Sequence, residues 1–196
     1  MVHSSISDTE LPAITGVILA GGRGSRMGGQ DKGLVVWQQK PLYLHVLRRL
    51  LPQVTTILIN ANRNLAIYQQ SGYPVIFDTI SDFPGPLAGI LTALEHTETD
   101  WVVVTPCDTP LLPENLVTEL WRNKGNAPAV WACSEERDHP TLALLHRDLA
   151  PLLRQYLATG ERRLMVFLQQ AGGHSVVFHH AETAFRNMNH PEDLQH

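Results

Sequence analysis

A short apolar run that empties into a glycine-rich, basic loop is the strongest constraint this chain places on its fold. Residues 14–20 read ITGVILA, and residues 19–32 read LAGGRGSRMGGQDK. An uncharged run of that length with β-branched residues fits a strand of a parallel sheet, buried on both faces. In an open α/β sheet the ligand crevice lies just outside the carboxyl ends of the strands, so the loop falls at that crevice. Gly21, Gly22 and Gly24 let the backbone come close to a bound group, and successive backbone N–H groups in such a loop form an anion-binding concavity. Arg23, Arg26 and Lys32 add positive charge, with Asp31 the only acid among them. Fixed dipoles combined with counter-charges are what a triphosphate needs. The bland alternative is a glycine-rich turn with solvated basic side chains. Three basic residues among five glycines argue against it.

The rest of the chain repeats the alternation of apolar runs with amphipathic stretches. After the loop, residues 41–51 carry Leu44, Leu47, Leu50 and Leu51 at helical spacing. Strands are expected at 55–60, 74–77, 101–105, 129–132 and 175–178, with an extended segment at 141–145. Helices are expected at 64–70, 87–96, 114–122, 149–157 and 162–169, and a Pro/Gly-rich loop at 78–86. Such alternation predicts right-handed βαβ units. The expected fold is α/β: a Rossmann-like, mainly parallel sheet with helices on both faces, a three-layer sandwich. The 196 residues suit one domain. Residues 1–12 read as a flexible lead and 13–196 as the domain.

Composition narrows the function class. A net charge of −4 speaks against a broad electrostatic grip on nucleic acid. No apolar run is long enough to span a bilayer, and MVHSSISDTELPA lacks the basic and apolar regions of a secretory signal. Cys107 and Cys133 are too few for a disulfide framework or a thiolate zinc site, which makes a reducing cytoplasm the natural setting. A phosphate ligand must then be held by a local cluster of donors.

Known glycine motifs do not account for the loop. No Gly-Lys-Ser/Thr occurs anywhere, so the P-loop pattern fails; Gly22-x-Gly24 is followed by Met27 where a dinucleotide fingerprint needs glycine. The loop is instead similar to the nucleotide-binding signature of the Rossmann-like nucleotidyltransferases, and it most resembles that of the molybdenum cofactor guanylyltransferases. The segments NANR at 60–63, DFPGPLAG at 82–89, PCDTP at 106–110, RDHPT at 137–141, GERR at 160–163 and FRNMN at 185–189 occur in that family's order and extend the resemblance over nearly the whole chain. Gly24 departs from it, at a position where relatives carry a bulkier residue, without removing the backbone cradle. The resemblance implies transfer of GMP from GTP to the molybdenum-carrying molybdopterin, with release of pyrophosphate and formation of the guanine dinucleotide cofactor.

Several residues outside the loop bear on that chemistry. Asp108 follows a strand on the crevice side, where a carboxylate suits Mg²⁺; its alternative is a turn-forming aspartate. Cys107 beside it reads as a buried strand-end residue, since no neighbouring base would activate it. Asn60 and Asp78 each close a strand at the same edge. One carboxylate can accept the N1–H and N2–H₂ of guanine, although both residues are also ordinary turn formers. By resemblance, Leu19, Ala20, Gly21, Gly22, Lys32, Asn60, Asp78 and Asp108 would bind GTP, with Asp108 holding Mg²⁺. Arg163, Asn187 and Asn189 would bind the molybdopterin half, against a neutral reading as helix-surface and turn residues. Gly85, Pro86 and Gly89 would shape a loop over the nucleotide, and Asp138–His139 would touch the second substrate or form a turn before Pro140. His174, His179 and His180 read as solvent-facing strand residues rather than a metal site. Arg26, Lys32 and Asp108 are the expected catalytic residues. The nucleophile, a terminal phosphate of molybdopterin, is already anionic, so alignment and charge neutralisation carry the reaction. Rival readings are a cytidylyltransferase on the same cofactor, a sugar-phosphate nucleotidyltransferase, and a non-catalytic GTP-binding module. Passing contacts with cofactor-biosynthesis proteins and molybdoenzyme chaperones are also expected.

Overall fold

The structure is a computed structural model that describes residues 10–22, 29–80, 85–189 and 191–195. In chain order the strands are β1 (Ile14–Leu19), β2 (Val36–Trp37), β3 (Lys40–Pro41), β4 (Thr56–Asn60), β5 (Val75–Ile76), β6 (Trp101–Pro106), β7 (Ala129–Cys133), β8 (Asp138–His146) and β9 (His174–Val177). The helices are α1 (Leu42–Leu50), α2 (Leu65–Gln69), α3 (Leu87–His96), α4 (Leu116–Asn123), α5 (Ala150–Ala158) and α6 (Leu164–Gln170). Seven strands form one sheet in the order β5-β4-β1-β6-β8-β7-β9, and β2 and β3 make a separate hairpin.

Side-chain alternation along each strand builds two cores. Ile14 and Ile18 of β1 and Val103 of β6 meet Val46 and Leu50 of α1 and Leu116 and Leu120 of α4 on one face. Val17, Val102 and Val104 face the other way and meet Ile90 and Leu94 of α3, Leu153 of α5 and Phe167 of α6. Strands buried on both faces are thus nearly all apolar, as a covered parallel sheet requires. The three-layer, mainly parallel expectation is borne out. No described helix is long and apolar enough to cross a membrane.

Two features differ from the reading of the sequence. β8 runs antiparallel to both β6 and β7, and it begins at Asp138, so the pair read as touching the second substrate or forming a turn starts a strand instead of a turn. Only residues 134–137 separate β7 from β8, closed by a Ser134 N–H to Arg137 carbonyl bond of 2.9 Å. A parallel return needs a crossover of a dozen residues or more, so this strand must double back. The β2–β3 hairpin is the second. It turns through Gln38 and Gln39 at φ 46° and 67°, a conformation that Asn or Gly would have announced and Gln does not.

Consecutive strands after β1 are added towards β5, and the chain then returns to place β6 on the opposite side of β1. The direction of winding therefore switches between β1 and β6, where an open α/β sheet presents its crevice. Register aligns the rim of that crevice: Leu19 lies beside Asn60 on one side and Pro106 on the other.

Candidate active site

The wall on the β4–β5 side is a network of amides around one carboxylate. The Ala20 N–H donates to the Asn60 carbonyl at 2.7 Å, tying the loop to the end of β4. Asn60 is almost fully buried, and its Nδ2 donates to Asp78 Oδ1 at 2.8 Å. Asn62 approaches from the open side: its Nδ2 donates to Asp78 Oδ2 at 2.9 Å, and its Oδ1 accepts from the Asp78 N–H at 2.8 Å. Thr92 Oγ1 lies 3.4 Å from Asp78 Oδ1 but is better placed, at 2.9 Å, to donate to the Ala88 carbonyl. A carboxylate offers about four acceptor sites. One firm donor on each oxygen leaves Asp78 one free lone pair per oxygen.

Two glycines make this packing possible. A Cβ on Gly89, in the first turn of α3, would lie 2.5 Å from Asn60 Oδ1, and one on Gly21 would lie 2.8 Å from Asn62 Nδ2. Both positions are therefore fixed by close approach of the two asparagines. Gly89 is a floor beneath Asn60 rather than part of a loop over a ligand. Gly22 is exposed at the mouth, and Gly85 carries a φ of 97° just before α3.

On the β6 side the charged residues meet. Lys32 Nζ lies 3.5 Å from Asp108 Oδ2 and donates to Asn189 Oδ1 at 3.1 Å. Asp108 is 6% exposed. Burial pushes its carboxyl above the ordinary value, and the Lys32 ammonium pulls it partly back. The segment around Asn187 is stitched to the same corner. Thr109 Oγ1 donates to Asn187 Oδ1 at 2.7 Å, and the Met188 N–H donates to the Asp108 carbonyl at 2.8 Å. Asp31, buried just before Lys32, accepts from the Tyr68 hydroxyl at 2.6 Å and from Asn64 Nδ2 at 3.1 Å. That anchors the turn from which Lys32 reaches Asp108.

Among the described residues no group of three or more His, Cys, Asp or Glu side chains converges on a metal position. A single buried carboxylate beside a lysine at this crevice nevertheless fits Mg²⁺, which takes few protein oxygens and fills its shell with phosphate oxygens and water.

Lys32, Asn60, Asp78 and Asp108 are thus gathered with Leu19–Gly22 at one rim; Asn189 joins Lys32 directly, and Asn187 joins Thr109 beside Asp108. Arg26, and residues 81–84 of the Pro/Gly-rich loop, lie outside the described residues. Arg163 precedes α6 at the same edge of the sheet, since β8 ends beside Trp101 at the opposite edge and α5 returns from there. Its side chain is exposed and pairs with Glu161 at 3.4 Å, with no contact to Asn187 or Asn189. Cys107 is buried and its thiol is pushed up, first by burial and then by Asp108, which suits an inert strand-end residue. His174 is exposed on β9. His179 and His180 lie beyond β9, and a carboxylate does stand beside them: Glu135 Oε1 is 3.2 Å from His179 Nδ1. Asn62, Thr109, Asp31 and Tyr68 were not anticipated. The tetrapeptide at 60–63 was the one available signal for Asn62.

Residues 16–176 match the MobA-like NTP transferase domain. The chain is 54% identical over 180 residues to a protein of Serratia proteamaculans named molybdenum cofactor guanylyltransferase, covering 92% of this chain and 91% of that one. A protein of the same name from Yersinia pseudotuberculosis is 51% identical over 182 residues, covering 93% of each. Among solved structures, molybdopterin-guanine dinucleotide biosynthesis protein A from Archaeoglobus fulgidus superposes with a TM-score of 0.71 at 24% identity, covering 92% of this chain and 94% of that one. A CMP:2-keto-3-deoxy-manno-octonic acid synthetase complexed with CTP superposes with a TM-score of 0.72 at 16% identity, covering 92% and 94%. At such identities these two likenesses establish the fold alone.

Proposed function

The chain belongs to the family of MobA-like NTP transferase domains, and from that premise we propose that it transfers GMP from GTP to the molybdenum–molybdopterin cofactor, forming the guanine dinucleotide cofactor and releasing pyrophosphate. The observation that carries this reading is the corner where Lys32, Asp108 and Asn189 meet, at the switch point of the sheet. A lysine suited to phosphate and a buried carboxylate suited to a cation stand together there, beside the segment assigned to the molybdopterin half, which supports the reading.

In the proposed reaction a terminal phosphate oxygen of molybdopterin attacks the α-phosphorus of GTP. A new P–O bond forms there, the bond to the bridging oxygen of the β-phosphate breaks, and its electron pair leaves with pyrophosphate. The attacking oxygen is already anionic near neutral pH, so no side chain has to remove a proton. The amides of Leu19–Gly22 and the Lys32 ammonium bind and orient the triphosphate, and such prearranged donors cost no reorganisation as charge develops. Asp108 would hold Mg²⁺, which supplies neutralisation of phosphate charge when bound. The free lone pairs of Asp78 would accept the guanine N1–H and N2–H₂. Asn187, Asn189 and Arg163 would orient the molybdopterin half, and Arg26 would join Lys32 on the phosphates.

Hand-over of the product would involve passing contacts with cofactor-biosynthesis proteins or molybdoenzyme chaperones in the cytoplasm. The test is pyrophosphate release with purified protein and all combinations of GTP, CTP, Mg²⁺ and molybdopterin. Release that needs GTP, Mg²⁺ and molybdopterin together is the expected result. Equal release with CTP would favour the cytidylyl alternative, and binding of GTP without any release would favour a regulatory module.

A further inference from the structure

Among the described residues only Trp37 and Arg63 bury side-chain nitrogens without a hydrogen-bond partner, and for Arg63 these are Nε and Nη2. Buried donors are nearly always satisfied, so an unpaired one at a crevice points to an acceptor that arrives from outside. Arg63 closes the turn in which Asn60 and Asn62 hold Asp78. It reaches the opposite way, towards the glycine-rich loop, where its Nη1 donates to the Gly29 carbonyl at 3.0 Å. The nearest carboxylate oxygen, Asp31 Oδ2, lies 3.9 Å from Nε, outside hydrogen-bond reach. Tyr68 and Asn64 hold Asp31 in that place, one on each oxygen, so Arg63 and Asp31 attract as an ion pair without a hydrogen bond between them.

The identity of the two open atoms is informative. Nε–H and the adjacent Nη2–H are the parallel donors of the side-on fork of a guanidinium, the pair that matches two oxygens of one phosphate or carboxylate. Nη1, on the other edge, is the atom that pins the group to Gly29. Gly29 and Asp31 belong to the segment that delivers Lys32, so the Arg63 guanidinium is docked against the stretch of chain that carries the expected phosphate cation.

We propose that Arg63 is a phosphate-binding residue, presenting its Nε/Nη2 fork to two oxygens of the nucleotide triphosphate while Nη1 keeps the end of the loop in place. The proposal deepens the nucleotide-binding reading above and rests on it.

Titration calorimetry of the full chain with Mg²⁺–GTP, guanosine and inorganic pyrophosphate tests it, together with melting curves. Arg63→Ala should weaken GTP and pyrophosphate by about tenfold or more, the usual cost of losing charge-assisted hydrogen bonds. Guanosine, which has no phosphate, should bind it as it binds the wild type. Arg63→Lys keeps the charge without the fork and should recover only part of the loss; it carries the test alone if Arg63→Ala melts too early to titrate. Unchanged GTP affinity in Arg63→Ala overturns the proposal. So does parallel loss of GTP and guanosine, which marks a scaffold role, or full recovery by lysine, which removes the fork. Wild-type protein that binds pyrophosphate through Arg63 but does not bind GTP would reject the nucleotide reading and keep the anion fork.

Discussion

The two walls of the crevice treat their carboxylates in opposite ways. Asp78, on the β4–β5 side, is held by the Asn60 and Asn62 amides at 2.8 and 2.9 Å, and these bonds also fix the ends of β4 and β5. Asp108, on the β6 side, is more deeply buried; the Lys32 ammonium at 3.5 Å and a backbone hydrogen bond pull its carboxyl down, but burial outweighs them and raises it above the usual range. On the first wall the hydrogen bonds that order the site also support the fold. On the second the fold carries a charge whose burial outweighs its partners, a cost that a bound cation would relieve. With Asp78 proposed to read the base and Asp108 to hold the metal, recognition and stability would be coupled with the same sign at Asp78 and with opposite sign at Asp108.

Asp108→Asn gives the largest expected effect and the sharpest test of that contrast. A carboxyl whose folded-state value lies above its unfolded value binds protons more readily in the folded protein. Its ionisation therefore removes stability as pH rises through the window above 3.8. At pH 7 that cost is in place, and asparagine abolishes it. Turnover should fall by on the order of a thousandfold, as expected for losing the ligand of a catalytic metal, while the ligand-free protein melts at the same temperature or higher. Added Mg²⁺ should restore part of the rate by mass action. Near-normal turnover at low Mg²⁺, or a clear drop in melting temperature, would break the comparison.

Asp78→Ala should do the reverse and damage both properties together. Removing the carboxylate strands the Nδ2 of Asn60, which is 1% exposed, and an unpaired buried amide costs about 1–3 kcal/mol. The same loss should reduce the preference for GTP over CTP and ATP by about tenfold or more, because a site built for polar pairing discriminates by leaving groups unpaired. Thermal melts and competition binding report the two separately. Lost stability with the GTP preference intact would place base reading on another group and leave Asp78 a purely structural hub.

What could be read in advance was what is local in sequence. The strand running into glycines, the carboxylate at the end of β6 and the apolar alternation are signals within a few residues, and each located a rim residue. The couplings between them were not legible. Asn62 matters because it spans 16 residues to Asp78 and 41 to Gly21. The Lys32–Asn189 bond joins residues 157 apart, and nothing in FRNMN announces that partner. The reversal of β8 was concealed for a different reason: an apolar strand looks the same in either direction, and only the shortness of the 134–137 turn records which way it runs.

The smallest expected effect is on pH dependence, and it separates the walls once more. The segment bearing Asn187 and Asn189 braces the Asp108 wall, and it begins at the buried Phe185, whose ring lies 4.6 Å from that of His139. His139 is held below its ordinary value, first by burial and then by the Arg137 guanidinium, with Glu182 and Asp138 opposing. For a base, a folded-state value below the unfolded one means that the unfolded chain takes the proton more readily. The stability it contributes is therefore complete above pH 6.5 and is lost as pH falls from there through the folded value. Protonation sets a charge against Phe185, so turnover should decline as pH falls below 6.5, ahead of GTP affinity, to which the Asp78 wall and the loop amides also contribute. His139→Gln should flatten that limb of the turnover profile and leave GTP binding as it was. An acid limb unchanged in the variant, or GTP affinity that falls in step with turnover, would show that His139 does not act through the Phe185–Asn189 segment.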